Sequence, residues 1–320
     1  MAMAGDAGNT QGKTQEKVQG PVQLGVIQQA DFIAGLGKGL SVLGAFDVSR
    51  QRLNATQAAQ RVGLTRAAAR RYLLTLQSLG YLDSDATHFW LTPKVLQFSG
   101  NYLASAQLPR IAQPTLDELS AHTGGAFSVV VADGAEVVIV ARGRDSLRSA
   151  VAQLPAINDL PSRAAQQLSQ AQAHARSMMS MAQGLHLGAR LPMHATSTGQ
   201  VLMASWSAPQ LKAWLDQHVL KALTSHTLTS ASALEQRLKT VRSNGWCCAS
   251  QEHELGVKAV AVPVHRRDGT VVGALNVVLG VALHAPTSSH SSTSSGSDED
   301  LIQQWLPWLQ EAAQRLRTMT

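Results

Sequence analysis

The segment that most constrains the fold is residues 53–81, LNATQAAQRVGLTRAAARRYLLTLQSLGY, where two helical patterns stand back to back across one glycine. Asn54 suits an N-cap, and Ala55, Ala58, Ala59 and Val62 form the short apolar stripe of a first helix that stops at Gly63. Leu64 then crosses the turn into the core. Thr65 caps a second, longer helix in which Ala69, Tyr72, Leu73, Leu76 and Leu79 share one face by their three- and four-residue spacing, and Gly80 ends it. The opposite face carries Arg66, Ala67, Arg70 and Arg71 near the N-terminus, where the helix dipole favours anions over cations. No Asp or Glu occurs between Val48 and Leu82, so every charge in this stretch is positive.

Two helices joined by a tight turn, the second with a basic N-terminal half, match the arrangement by which helix-turn-helix proteins enter the major groove of double-stranded DNA. Arginine suits that task because its planar fork grips guanine O6 and N7 or a pair of phosphate oxygens, and its charge displaces counterions. The small Ala67 and Ala68 let the backbone come close to the bases. A solvated cationic helix face is the plainer account of any arginine run; the caps, the glycine and the missing acids favour DNA. After Gly80, residues 81–82 and 88–91 read as two short strands around a turn at Asp83-Ser84-Asp85, which predicts a hairpin wing. His88 or Thr92 on that wing is placed to touch the DNA backbone or minor groove, and a plain surface role fits either as well.

At 320 residues the chain has room for two domains with separate cores. A formal net charge of +6 permits a nucleic acid or an anionic small molecule as partner without choosing between them. The two cysteines, Cys247 and Cys248, are adjacent and poorly placed for a structural disulfide, which fits a reduced cytoplasmic setting. No apolar stretch approaches bilayer-spanning length and no signal-peptide pattern opens the chain, so a soluble protein without membrane contact is expected.

Residues 1–25 read as a disordered tail, 26–92 as the winged helix-turn-helix domain, 93–109 as a linker helix and 110–320 as a second domain. In the winged helix-turn-helix domain, Asp31 is expected to cap a helix with Ile33, Leu36, Leu40, Leu43 and Phe46 on one face, part of a dimer surface. The second domain opens with an amphipathic helix at 112–122, then strands at 127–131 and 137–140 around an Asp133-Gly134 turn. Residues 147–175 lack pattern, 178–181 suggest a strand, and helices follow from Thr198 or Gly199, at 209–217 and at 232–243. Strands are expected at 245–250, 259–264 and 271–278, a low-complexity serine-rich loop at 286–299 and a final amphipathic helix at 301–316. This alternation implies an α+β fold with one curved sheet able to close around a small ligand.

A search for chemistry finds little. His186 and His194 are too far apart for one helix face, no HExxH pair occurs, and the acids around His253 would need further ligands from elsewhere; no metal or cofactor is expected. ATSTG is not a GxSxG nucleophile elbow, and no glycine-rich nucleotide fingerprint is present. What remains is a set of small polar residues, Ser197, Thr198, Asn276 and the loop Gln251-Glu252. A helix beginning at Thr198 offers unpaired backbone N–H groups and its dipole to a carboxylate, although Ser197 or Thr198 serves equally well as a simple cap.

The motifs at 53–91, GARLPMHATSTGQVLMA at 188–204 and GVKAVAVPVHRRDGTVVGALNVV at 256–278 together resemble the isocitrate lyase regulator (IclR) family of bacterial transcription factors. Within it, DFIAGLGKGLSVLGAF and LTRAAARRYLLTL look most like regulators of protocatechuate, 4-hydroxybenzoate and β-ketoadipate metabolism, with terephthalate regulators near. The resemblance implies a winged helix-turn-helix with Thr65, Arg66, Ala67, Ala68, Arg70, Arg71 and His88 at the operator, and a GAF-like α/β domain that binds a carboxylate effector. By motif alignment the effector positions are Ser197, Thr198, Gly199, Val257, Ala259, Asn276 and Val278. Ala259 and Val278 stand where some relatives carry cysteine or serine, so that wall suits a small aromatic carboxylate. The resemblance further implies a homodimer or homotetramer, RNA polymerase as a candidate partner, and no enzymatic activity. The competing readings are an enzyme acting on a small carboxylic acid and a ligand sensor acting through protein partners.

Overall fold

The structure, a computed structural model, describes residues 28, 31–47, 49–143, 185–280 and 297–320. The tail at 1–25, the patternless stretch at 147–175, the strand expected at 178–181 and residues 286–296 of the serine-rich loop lie outside the described residues.

The N-terminal unit contains helices α1 (Ala34–Leu43), α2 (Ala55–Val62) and α3 (Arg66–Ser78) and strands β1 (Leu82–Ser84) and β2 (Phe89–Leu91). The Asn54 side chain accepts from the N–H groups of Thr56 and Gln57, both at 3.0 Å, while Gln57 Oε1 accepts from the Asn54 N–H at 2.9 Å. This reciprocal box satisfies donors that α2 would otherwise leave open. Gly63 then adopts φ +66°, the left-handed conformation that a helix stop of this kind requires. Thr65 Oγ1 accepts from the Ala68 N–H at 3.2 Å and starts α3. Val42, Leu53, Ala58, Ala69, Leu73, Leu82 and Phe89 close the core between these elements.

Two expectations change here. Asp31 does not cap α1, which starts after Ile33 without a side-chain cap, and Ile33, Leu36 and Leu40 are 60–70% exposed. The helix docks through Val42, and its Gly35 and Gly39 lie beside Tyr72 of α3, where a Cβ at either would meet the ring or its hydroxyl at an ordinary contact distance of 3.7–3.8 Å. The apolar face therefore points outward. In the wing, Asp83 and Ser84 belong to β1, paired with Trp90 and Phe89, and the chain reverses at residues 85–88 with Ala86 at φ 74°.

The expected connector is a 3-10 turn (Pro93–Val95) followed by α4 (Leu96–Ser105), and the next helix, α5 (Gln107–Thr123), begins before the predicted start at 112. Pro109 falls in its first turn, where an N–H has no intrahelical partner to lose. The C-terminal sheet holds β3 (Ala126–Asp133), β4 (Glu136–Arg142), β5 (Arg190–Pro192), β6 (Cys247–Ser250), β7 (Val257–His265) and β8 (Val271–Gly280), all antiparallel in the order β5-β4-β3-β8-β7-β6. The helices α6 (Ser197–Ala204), α7 (Ala208–Gln217) and α8 (Ala231–Asn244) cover one face, and α5 with α9 (Asp298–Met319) covers the other. Alternation along the strands supplies both cores: Val260, Val262, Leu275 and Val277 face α5 and α9, while Ala261 and Ala274 face α6 and α8. α9 starts earlier than predicted because Ser297 and Asp300 form a capping box and three acids occupy its first turn.

Candidate nucleic-acid interface and ligand site

On α3, Arg66, Ala67, Arg70 and Arg71 are all exposed, while Ala68 is half-buried, so Ala67 alone presents its methyl fully. Among the described residues no ion pair or side-chain hydrogen bond engages the three guanidinium groups. The neighbouring cations are committed elsewhere: Arg61 pairs with Asp47, and Lys94 donates to the Leu79 carbonyl at 2.7 Å at the negative end of α3. His88 is half-buried at the base of the wing turn, its Nδ1 3.0 Å from Thr87 Oγ1. Thr92 is taken up structurally, donating to the Gly80 carbonyl at 2.6 Å. Asp85 organises the wing by accepting from the His88 and Thr87 N–H groups and the Thr87 hydroxyl, bonds that hold its carboxyl down at about 2. Arg52, which sequence reasoning passed over, lies 4.2 Å above the Trp90 ring and 3.2 Å from Asp85. Its only signal was membership of the acid-free stretch.

In the C-terminal domain, strand register assembles a row of small and polar side chains under α6. Ala261, Asn276 and Ser128 lie side by side on β7, β8 and β3, and the next row is Ala249, Ala259, Val278 and Ala126. Ser128 Oγ donates to Asn276 Oδ1 at 2.7 Å, with both residues more than nine-tenths buried. Helix α6 packs chiefly on β7 and β8, and all eight of its residues are buried. Its cap is Thr196, whose Oγ1 accepts from the Gly199 N–H at 3.2 Å, rather than Ser197 or Thr198 as the sequence suggested. Ser197 and Thr198 are therefore buried to 1% and 2% exposure with hydroxyls that no hydrogen bond engages among the described residues, and the same holds for Asn276 Nδ2. Polar atoms left unengaged on buried residues beside a helix N-terminus offer a place where an anion fits. Gly199 serves by its shape: a Cβ there would stand 2.1 Å from the Met193 carbonyl oxygen. Val257, at the start of β7 opposite Gly280, is half-exposed at the margin of this face.

A second polar network fixes the first turn of α6. Gln200 Nε2 donates to the His194 carbonyl at 2.9 Å and to Glu252 Oε2 at 2.7 Å, while its Oε1 accepts from the Cys247 thiol at 3.2 Å. Glu252, 3% exposed, also pairs with Arg237 of α8 at 3.1 Å. Burial pushes the Glu252 carboxyl up, against the opposing pull of the Arg237 charge and the Gln200 amide. Arg242, one turn further on, donates to the Ala204 and Trp206 carbonyls, so α8 grips α6 at both ends. Sequence reasoning placed Glu252 near the pocket but missed Gln200, Arg237 and Ser128, which carry no local motif.

Residues 35–86 match the IclR helix-turn-helix domain, and residues 169–285 match the family described as bacterial transcriptional regulator IclR C-terminal. The Pca operon regulatory protein of Acinetobacter baylyi is 42% identical over 294 residues, covering 92% of this chain and 91% of that protein. The chain belongs to the IclR family. A second IclR-type relative, the p-hydroxybenzoate hydroxylase transcriptional activator of the same organism, is 42% identical over 297 residues, 92% of this chain and 94% of that protein. Among solved structures, a double mutant of the PobR inducer-binding domain from Acinetobacter, in complex with 3-hydroxybenzoic acid, is 34% identical. It covers 67% of this chain and 100% of that one, with a TM-score of 0.50. IclR membership makes the α2–α3 pair the family's helix-turn-helix, and the C-terminal match takes in strands β5 to β8 of the sheet. No helix among the described residues is long and apolar enough to cross a membrane.

Proposed function

We propose that this IclR-family regulator controls an aromatic-acid catabolic operon, binding operator DNA through α3 and the wing and sensing an aromatic carboxylate under α6. The reading is carried by the unengaged polar atoms of the buried residues Ser197, Thr198 and Asn276, set against the apolar wall of Ala259 and Val278. The carboxylate accepts from the first N–H groups of α6 and from Asn276 Nδ2, and the ring lies on the small side chains of β7 and β8. The p-hydroxybenzoate hydroxylase activator among the relatives and the 3-hydroxybenzoic acid held by the PobR double-mutant domain support that ligand class. Arg66, Arg70 and Arg71 hold the duplex with Thr65, Ala67, Ala68 and His88 around them. Two copies join through the outward apolar face of α1, matching a two-fold operator, with a tetramer and contact to RNA polymerase as further assembly in the cytoplasm. The protein acts by binding, not by turnover.

Effector control requires differential affinity for two arrangements of the dimer. The test is operator binding across a salt series, with and without 4-hydroxybenzoate, protocatechuate and terephthalate. Affinity that falls steeply with salt and shifts with one acid is expected, and Arg70→Ala should lose about 1–3 kcal/mol if that residue reads a base. Absence of DNA binding at low salt would refute the reading.

A further inference from the structure

Asn276 lies on β8 between two strands that meet it differently. Its register partner is Ser128 across β3 and Ala261 across β7. Residues directly opposite on neighbouring strands bring their Cβ atoms to about 5 Å, so a serine hydroxyl reaches the asparagine amide from one side while the other side offers only a methyl group. Val130, Ala261 and Ala274 pack on the α6 side of the sheet, and alternation along the strands puts Ser128 and Asn276 on that side too.

An asparagine amide keeps nearly the same shape after a half-turn about its last bond, so its hydrogen-bond partners alone decide which way the acceptor and the donor face. Here Ser128 Oγ donates to Asn276 Oδ1 at 2.7 Å, between residues 5% and 7% exposed. No other acceptor takes the Ser128 proton among the described residues. Turning the amide over would set Nδ2 against the hydroxyl and strand that proton in a buried place, which costs more than the bond itself is worth. Nδ2 is therefore held away from β3. It has no partner among the described residues and is not sealed off, so it borders open space.

Resting on the ligand site proposed above, we propose that Ser128 is a positioning residue that makes this site select a carboxylate over a carboxamide. With Oδ1 taken, the Asn276 amide and the first N–H groups of α6 present donors only, the Gly199 N–H being occupied by Thr196 Oγ1. A carboxylate accepts from such a set with both oxygens, whereas a carboxamide turns an NH2 group toward donors. The helix dipole also favours the anion. Ser128 adds a discrimination of its own, because without its hydroxyl the Asn276 amide is free to turn over and meet a ligand NH2 with Oδ1.

The experiment is calorimetric titration of the full-length protein, wild type and Ser128→Ala, with 4-hydroxybenzoate and with 4-hydroxybenzamide. The wild type is expected to prefer the acid, and Ser128→Ala to narrow that preference by about tenfold or more, the scale of a hydrogen bond to a charged group. In an Asn276→Ala background the same substitution is expected to leave the preference unchanged, because the amide through which Ser128 acts is gone. An unchanged preference in Ser128→Ala, whether or not both compounds bind more weakly, would overturn the proposal and leave Ser128 a packing residue. A narrowing of equal size in the Asn276→Ala background would overturn it as well. Should Ser128→Ala not fold, Ser128→Cys, close in volume and only a weak donor, must show the narrowing, and a wild-type preference there defeats the proposal. A wild type that binds both compounds alike sinks it while leaving the ligand site standing. Binding of neither compound to the wild type would instead bring down the ligand site itself, and this proposal with it.

Discussion

Gly199→Ala is the sharpest probe of the ligand site, because it adds one methyl group at the point where two backbones meet. The added Cβ would stand 2.1 Å from the Met193 carbonyl oxygen, 2.4 Å from its Cα and 2.6 Å from its carbonyl carbon. Backbone cannot rotate away as a side chain does, so the first turn of α6 must lift from the Met193–Ala195 turn by about 1 Å to reach ordinary contact. Overpacking of this kind costs about 1–3 kcal/mol. Lifting the turn also stretches the Thr196 cap on the Gly199 N–H, already 3.2 Å long, at a cost of about 1 kcal/mol. The combined loss of about 2–4 kcal/mol corresponds to a fall of about 5–15 °C in the melting temperature of a domain this size. The same movement takes the Ser197 and Thr198 N–H groups away from a carboxylate, and forfeiting a charge-assisted hydrogen bond weakens effector binding by about tenfold or more. Thermal unfolding and calorimetric titration with 4-hydroxybenzoate measure both. Operator binding without effector should persist, since α3 is untouched. A variant that melts within a degree of wild type and binds the acid equally well would refute the argument.

Asn54→Ala removes both bonds to the first turn of α2 and should cost about 1 kcal/mol, read as earlier thermal unfolding of the N-terminal unit with weaker operator binding. Because burial raises the Glu252 pKa, its ionised form is the costly one; relative to Glu252→Gln, the wild type should be most stable below the ordinary carboxylate range. That margin should shrink as pH rises through the raised value, and a melting-temperature difference that grows with pH would contradict the account. Asp85 titrates in the opposite sense: its bracing of the wing is complete above the ordinary carboxylate pKa and is lost as pH falls through about 2. Amide NMR shifts of Thr87 and His88 should report that transition, and Asp85→Asn should abolish it.

The sequence by itself determined the local elements whose signals are local. Asn54, Gly63 and Thr65 specify α2, the turn and α3 through caps and a left-handed residue that depend only on near neighbours. The Asp133-Gly134 punctuation likewise marked the reversal between two strands that the structure pairs. The Arg66, Arg70 and Arg71 face was readable because spacing on a helix fixes which residues share a side. Tertiary structure alone decided the rest. The apolar stripe of α1 has the same period whether it packs inward or outward, and only the docking of α1 through Val42 onto the N-terminal core left Ile33, Leu36 and Leu40 at the surface. The ligand floor draws Ser128, Ala259 and Asn276 from strands far apart in the chain, and their adjacency follows from register, which no short window encodes.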